Sequence, residues 1–167
     1  MGRSAAAAGS ALFFALAPGI VAGVIPWSIT GLDVEPAWWG WRVLGALATA
    51  VGAVVLIHAF WRFVVEGIGT PAPVAPTQHL VIGGLYRWIR NPMYVAVVAC
   101  AAGQAGIFGQ PVLLAYAAFL LVLFVTFVRL YEEPTLTRQF GAEYETYRRA
   151  VPGWWPRAPR GARGRPR

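Results

Sequence analysis

Lysine is absent from this sequence of 167 residues, and all charged residues together make up only 13% of it. A soluble domain contains about 25% charged residues, so this chain has too few to cover a surface that faces water. Hydrophobic residues account for 57% of the sequence, and the mean hydropathy is +0.55. The composition argues against an ordinary soluble domain and predicts an all-α integral membrane protein.

Cysteine and histidine are nearly absent as well. Cys100 is the single cysteine, so the chain cannot form an intrachain disulfide. Its position in an apolar run predicts a small buried thiol. His58 and His79 are the only histidines. Two histidines and one cysteine do not provide a convincing zinc site, so we expect no bound metal.

Apolar runs dominate what is present. A helix that crosses a bilayer needs about 20 apolar residues, each rising about 1.5 Å. Arg3 before the first run could also begin a signal peptide, but the run is long for that role. We expect one domain over residues 1–151 and a basic, flexible tail over residues 152–167, which are rich in Pro, Gly and Arg. The sequence predicts four transmembrane helices, at residues 11–29, 43–61, 93–108 and 112–128.

Two polar segments stand out from these runs. The first, Gln78–Tyr94, contains two arginines, two tyrosines and an Asn-Pro break. It predicts a short interfacial helix up to Arg90, with Pro92 in the first turn of the third span. The second segment, residues 134–151, predicts one amphipathic helix that lies on the membrane surface or caps a site. Its apolar residues recur at spacings of three and four: Leu136, Phe140, Tyr144, Tyr147 and Val151.

Charge is distributed unequally between the loops. The loop between the first two predicted spans holds Asp33 and Glu35, and the loop between the last two has no charge. Most arginines lie in the two polar segments and the tail. The positive-inside rule therefore places both termini and Gln78–Tyr94 on the cytoplasmic side, and we expect a bacterial cytoplasmic membrane. The basic tail suits anionic lipid headgroups. It lacks the interleaved aromatic residues of a nucleic-acid-binding segment, so no nucleic acid is expected.

Glu132 and Glu133, hereafter the acid pair, follow the fourth predicted span with Arg129 one turn earlier. They could form an interfacial ion pair, which contributes little to stability. They could instead form a binding site, because a carboxylate at a dry boundary accepts hydroxyl groups or holds a cation. Tyr86 and Tyr94 could anchor the interface or turn their rings towards a cationic or planar ligand.

The two polar segments together carry a pattern that resembles the isoprenylcysteine carboxyl methyltransferase and phospholipid methyltransferase superfamily. The resemblance covers about residues 69–156. It implies an integral membrane methyltransferase that uses S-adenosylmethionine, with a cofactor pocket at the cytoplasmic face built from residues 78–94 and 129–147. The pattern is Gly84-x-Tyr86-x-x-x-Arg90-Asn91-Pro92-x-Tyr94, followed after two spans by Glu132-Glu133-x-x-Leu136-x-x-x-Phe140-Gly141-x-x-Tyr144-x-x-Tyr147.

The resemblance also implies which residues contact the cofactor. Asn91 stands where many members have histidine; its amide can form hydrogen bonds but cannot titrate near neutral pH. The implied contact residues in this chain are Gln78, His79, Leu80, Val81, Tyr86, Asn91, Pro92, Met93, Tyr94 and Glu132.

Methyl transfer from a sulfonium is an in-line displacement, so the protein mainly aligns the acceptor and excludes water. Arg90 or Arg129 could orient a carboxylate acceptor. An amine acceptor must lose a proton, which Glu132 or Glu133 could accept. We therefore take Arg90, Arg129 and Glu133 as candidate catalytic residues. A lipophilic acceptor could enter sideways from the membrane, and its identity and the oligomeric state stay open. The alternative function is a non-enzymatic membrane protein, such as a transporter subunit or scaffold.

Overall fold

The computed structural model describes residues 16–31, 33–66 and 79–158. Within these ranges every regular element is helical, which confirms the all-α prediction for the described part of the chain. The helices are α1 (Leu16–Thr30), α2 (Trp39–Glu66), α3 (Pro92–Phe108), α4 (Val112–Phe127), α5 (Glu133–Phe140) and α6 (Ala142–Ala150), with a 3₁₀ turn at Gly84–Arg87 before α3.

Two helices are long and apolar enough to cross a membrane. They are Trp39–Arg62 within α2 and Val112–Phe140, which runs continuously from α4 into α5. The predicted spans 43–61 and 112–128 lie within these two helices. The other two predicted spans correspond to the shorter apolar helices α3 and α1, and residues 11–15 of the first lie outside the described residues.

One face of α2 carries large apolar side chains that nothing in the described chain covers. Leu44, Leu47, Val51 and Val54 follow one another at helical spacing, and each is more than half exposed. A contiguous apolar stripe of this length is not found on an ordinary water-facing helix. This pattern is typical of a helix that faces lipid.

Helices α2 and α3 pack closely along a seam of glycines. A Cβ on Gly52 would come within 2.7 Å of Cys100 Sγ, and one on Gly106 within 2.6 Å of the Trp41 carbonyl oxygen. Cys100 is buried in this seam, as predicted. Gly19 and Gly23 in α1 have a similar small-residue spacing, but a Cβ on either would meet nothing within 4 Å. Spacing alone therefore does not identify a helix contact.

Pro26 shapes α1 and its contacts with α3 and α4. A π-helical segment, Ile20–Val24, ends just before it, and the N–H of Ile25 donates to the carbonyl of Ile20. Proline has no N–H, so it cannot donate to the carbonyls of Val21 or Ala22. Two side chains from other helices donate instead: Gln104 Nε2 to Ala22 O at 2.7 Å and Tyr116 Oη to Val21 O at 2.7 Å. These two hydrogen bonds give partners to carbonyl groups that Pro26 cannot serve.

A second π-helical segment, again followed closely by a proline, lies where α4 becomes α5. The π-helical segment Val128–Glu132 ends two residues before Pro134, and the N–H of Glu133 donates to the carbonyl of Val128. The single amphipathic helix predicted for residues 134–151 is instead two helices. Gly141, at φ +52° and ψ −124°, separates α5 from α6 in a conformation that only glycine adopts readily. The predicted interfacial helix up to Arg90 is reduced to the 3₁₀ turn.

Candidate functional site

The hydroxyl of Tyr94 connects the start of α3 to the acid pair. Asn91 precedes α3, Pro92 occupies its first turn, and Tyr94 follows within that turn. Tyr94 Oη donates a hydrogen bond of 2.7 Å to Glu132 Oε2. The predicted meeting of segment 78–94 with the acid pair is therefore found in the structure.

The second carboxylate of the acid pair has different partners. Arg90 Nη1 donates to Glu133 Oε1 at 2.9 Å and to Tyr144 Oη at 3.0 Å. Arg148 lies 3.6 Å from the other oxygen of Glu133. The side chains of Arg90 and Glu133 are only 13% and 17% exposed. A charge pair with so little solvent has a fixed geometry, so Arg90 is held in one orientation.

The acid pair therefore divides into two roles. Glu133 is occupied by the guanidinium groups of Arg90 and Arg148. Glu132 has one hydrogen bond in the described part of the chain, from the neutral hydroxyl of Tyr94. A carboxylate has about four lone-pair sites. Glu132 thus keeps most of its accepting capacity for a ligand, whereas Glu133 supports the site.

Helix α6 closes this region from the side of the 3₁₀ turn. Tyr147 Oη donates to the backbone carbonyl of Tyr86 at 2.7 Å, and both Tyr86 and Tyr144 are buried. Burial raises the pKa of the Tyr147 phenol well above its ordinary value. Burial also raises the pKa of Tyr144, against the opposing effect of Arg90. Both phenols therefore stay protonated at neutral pH and act as neutral hydrogen-bonding groups.

Residues 152–157, here called the C-terminal strap, lie against the segment before α3. Arg90 N donates to Pro152 O at 2.9 Å, and Asn91 N donates to Gly153 O at 3.2 Å. Arg157 N donates in return to Trp88 O at 3.0 Å. The Pro and Gly content predicts a flexible tail over residues 152–167. Residues 152–157 differ from this prediction, because their backbone forms hydrogen bonds with the segment before α3. Residues 159–167 lie outside the described residues.

Aromatic rings surround the Tyr94 side of the site. Phe124 lies 4.9 Å from Tyr94 between ring centroids, Phe127 lies at 6.5 Å and Trp154 of the strap at 6.4 Å. Tyr131 continues this group by stacking on Phe127 at 5.2 Å. The acceptor carboxylate of Glu132 therefore lies beside an aromatic wall, an arrangement suited to a ligand with a cationic group or a flat ring.

The remaining predicted contact residues differ in their positions. Val81 is buried with Ala59 and Tyr86, and Met93 packs against this group. Leu80 is half-buried, His79 is exposed, and Gln78 lies outside the described residues. Val81, Ala59 and Met93 thus form an apolar support against Tyr86 of the 3₁₀ turn.

Arg129, a candidate catalytic residue, is exposed on the π-helical segment. In the described ranges it forms no hydrogen bond or ion pair with the acid pair or Arg90. The same ranges contain no group of three or more His, Cys, Asp or Glu side chains that could hold a metal ion.

Sequence reasoning missed three contributors to the site. Tyr144 and Tyr147 belong to the quoted pattern and to the range given for the pocket, but neither was named as a contact residue. Their spacing of three residues does place both on one face, which is a usable signal. Trp154 had no such signal, because it lies in the segment interpreted as a tail.

Two buried donors of the site lack a partner. Asn91 is 7% exposed, and its Nδ2 atom has no hydrogen-bond partner among the described residues; the same holds for Arg90 Nε. A buried donor without a partner is destabilising, so natural proteins retain it where it serves a further purpose. The site therefore offers unused donors beside the unused acceptor capacity of Glu132.

Comparison with known proteins gives one result. A family model described as phospholipid methyltransferase matches residues 41–143, which is more than half of the chain. The matched region runs from α2 into the first turn of α6 and includes Arg90, Tyr94 and the acid pair. It ends before Tyr144 and the strap. No curated protein and no solved structure matches the chain.

Proposed function

Because the chain belongs to the phospholipid methyltransferase family, part of the isoprenylcysteine and phospholipid methyltransferase superfamily, we propose that it transfers a methyl group from S-adenosylmethionine to a lipophilic or membrane-associated acceptor. The acceptor group is a carboxylate, a thiol or an amine. The observation that carries the proposal is the state of Glu132. It lies beside Tyr94, within the long helix Val112–Phe140, with most of its hydrogen-bonding capacity unused.

The residues present fit this donor chemically. S-adenosylmethionine, when bound, supplies a methyl group activated by a sulfonium, together with two ribose hydroxyls, an adenine and an amino-acid end. Glu132 can accept the hydroxyls, and the ring of Tyr94 can face the base. Asn91 Nδ2 and Arg90 Nε are donors without partners that suit a carboxylate. The ribose hydroxyls, the adenine and the carboxylate of the donor molecule therefore each have a complementary side chain in the site.

Arg90 acts in this proposal as a positioning residue. Its guanidinium is held by Glu133 and Tyr144 and cannot swing freely to a substrate. Arg129 is the exposed cation at the same boundary and is available to orient an anionic acceptor. For an amine acceptor, Glu132 takes up the released proton or passes it to water. Arg129→Ala should therefore impair a carboxylate acceptor strongly and an amine acceptor little.

The topology that we propose has four transmembrane helices, α1 to α4 with their extensions, and both termini in the cytoplasm. Arginines gather at the end of the molecule that carries the site, and the opposite loop carries Asp33 and Glu35. Leu130 is 76% exposed beside the acid pair, so an apolar acceptor could reach the site from the bilayer. Cys100 is buried, so single cysteines introduced at position 158 or 33 would report the side of the membrane by reagent accessibility.

Calorimetry on detergent-purified protein tests the donor, and transfer of a labelled methyl group to membrane extract tests the acceptor. We expect binding of S-adenosylmethionine and a labelled lipophilic product identified by mass spectrometry. Glu132→Gln should abolish both. Glu143→Gln is the matched control, because Glu143 is exposed on α6. A well-folded protein that binds no S-adenosylmethionine would refute the proposal.

A further inference from the structure

The strap covers the polar centre of the site through its backbone. Two successive carbonyls, of Pro152 and Gly153, accept from the successive N–H groups of Arg90 and Asn91. Gly153 lies directly on these side chains, since a Cβ there would come within 3.2 Å of Arg90 Nη2 and 3.5 Å of Asn91 Nδ2. The two unpartnered donors therefore lie under the strap, and the strap is in contact with the groups that we assign to ligand binding.

Trp154 extends the strap over Tyr94. Its ring centroid is 6.4 Å from that of Tyr94, with the planes 35° apart. Carbon atoms in contact are about 3.5–4.0 Å apart, so a flat ring between two parallel rings needs a separation of about 7–8 Å. At 6.4 Å and 35° the two rings are instead in direct contact, since aromatic pairs have centroids about 4.5–7 Å apart. A small outward movement of the strap would admit one aromatic ring between Tyr94 and Trp154.

The groups beside Tyr94 indicate which part of a ligand would fit between its ring and that of Trp154. Tyr94 donates to Glu132, the carboxylate that we assign to ribose hydroxyls. In a nucleoside the base is attached directly to the ribose. A ligand that places its ribose on Glu132 therefore has its base beside the ring of Tyr94, where Trp154 forms the other wall.

We propose that the strap is a closing wall of the methyl-donor site and that Trp154 is a ligand-binding residue that stacks on the adenine of the donor. This assignment rests on the proposed function and adds a segment that the family match, which ends at residue 143, does not include. Among the described residues, backbone hydrogen bonds and the ring contact with Tyr94 hold the strap, so it can open locally without unfolding the helices.

The chain provides its own control in the next residue. Trp155 has the same side chain and is adjacent in sequence, but it is 82% exposed. Trp154→Ala should weaken binding of S-adenosylhomocysteine, measured by calorimetry, by about tenfold or more, because stacking of a base on an aromatic ring contributes about 1–3 kcal/mol. Trp155→Ala should change binding less than twofold. Trp154→Phe, which keeps a ring, should recover most of the affinity.

Further readouts distinguish ligand contact from a structural role. Trp154→Ala should leave the thermal unfolding midpoint of the ligand-free protein close to that of wild type. It should raise the dissociation rate of the ligand more than it lowers the association rate, because a wall that closes after entry acts mainly on escape. The same loss should occur with 5′-methylthioadenosine, which has the base and ribose but no amino-acid end.

The outcomes separate the two proposals. Wild-type protein that binds neither S-adenosylmethionine nor S-adenosylhomocysteine would overturn the proposed function and this assignment with it. Wild-type binding with an unchanged affinity in Trp154→Ala would overturn the role of Trp154 alone. A loss seen with S-adenosylhomocysteine but not with 5′-methylthioadenosine would overturn the adenine contact and place Trp154 at the amino-acid end.

Discussion

Tyr94 and Glu132 are joined by a hydrogen bond of 2.7 Å that connects the first turn of α3 to the π-helical segment after α4. The two residues are far apart in sequence, and each lies at the end of an apolar helix. Their hydrogen bond places an acceptor for a ligand against an aromatic wall. The first predictions concern this pair and its neighbour Glu133.

Tyr94→Phe removes the hydroxyl and keeps the ring. A hydrogen bond to a charged group contributes about 1.5–3 kcal/mol, and here it orients the carboxylate to which we assign donor binding. We expect binding of S-adenosylmethionine to weaken by about tenfold or more, as measured by calorimetry. The product profile should stay the same. Unchanged affinity would show that the orientation of Glu132 does not depend on Tyr94.

The same substitution in the two carboxylates of the acid pair should affect different properties, donor binding for Glu132 and stability for Glu133. Glu132→Gln should lose donor binding with little effect on the unfolding midpoint, because its partner in the described chain is a neutral hydroxyl. Glu133→Gln should lower stability by about 2–4 kcal/mol, because it leaves Arg90 without its charged partner. Thermal unfolding and calorimetry on both variants test this. Equal effects on binding and stability in both would contradict the division of roles.

The glycine seam between α2 and α3 should tolerate no added methyl group. A Cβ on Gly45 would overlap the carbonyl oxygen of Gly103 and come within 2.8 Å of Ile107 N. Overpacking of this kind costs about 1–3 kcal/mol, so Gly45→Ala should lower the unfolding midpoint in detergent. Gly23→Ala is the control, because nothing lies within 4 Å of that position. Similar midpoints for the two variants would argue against the close approach of the helices.

The bond from Gln104 to Ala22 should matter only while Pro26 is present. Gln104→Leu leaves the carbonyl of Ala22 without a donor, and such bonds between membrane helices contribute about 0.6 kcal/mol on average and up to about 1.7 kcal/mol. Pro26→Ala restores an N–H at position 26 that can serve the same carbonyl. A double-mutant cycle on unfolding free energies should therefore show a smaller loss for Gln104→Leu in the Pro26→Ala background. Strictly additive effects would contradict this explanation.

Alkaline pH should weaken the attachment of α6. Burial raises the pKa of Tyr147 above its ordinary value of 10.0, so the folded chain retains a proton that the unfolded chain loses. The contribution of Tyr147 to stability is fully present below the unfolded pKa of about 10, and it is lost as pH rises from there towards the higher folded pKa. Tyr147→Phe should be less stable at neutral pH, because it loses the bond to Tyr86 O. Its unfolding midpoint should decline less steeply between about pH 9 and 11, and an unchanged slope would contradict the prediction.

Much of the helical framework could be predicted from the sequence, because apolar run length and proline position are local signals. Pro92 starts α3 where expected, and the turn around Gly109 separates α3 from α4. Glu132 and Tyr94 were both identified as contact residues by resemblance, and the structure brings them together. The separate roles of Glu132 and Glu133 could not be predicted, because they depend on the direction of the Arg90 guanidinium, which contacts Glu133.

Non-local pairing explains the remaining differences. Nothing in the strap sequence indicates that the carbonyls of Pro152 and Gly153 meet the amides of Arg90 and Asn91, which come some sixty residues earlier. The break at Gly141 was hidden by an apolar spacing that continues through it, because periodicity records side-chain type and not backbone conformation. Arg129 was selected for its place one turn before the acid pair, and the wide turn of the π-helical segment leaves it exposed.

The π-helical segment at Val128–Glu132 has a consequence for the angular phase of the helix it interrupts. Each residue advances an α-helix by about 100°, so one extra residue in a turn rotates everything beyond it by that amount relative to an uninterrupted helix. The direction in which the acid pair points is therefore set by a count of residues and not by any side chain. Deleting Leu130 from this segment would preserve every polar side chain of the site and still turn Glu132 away from Tyr94.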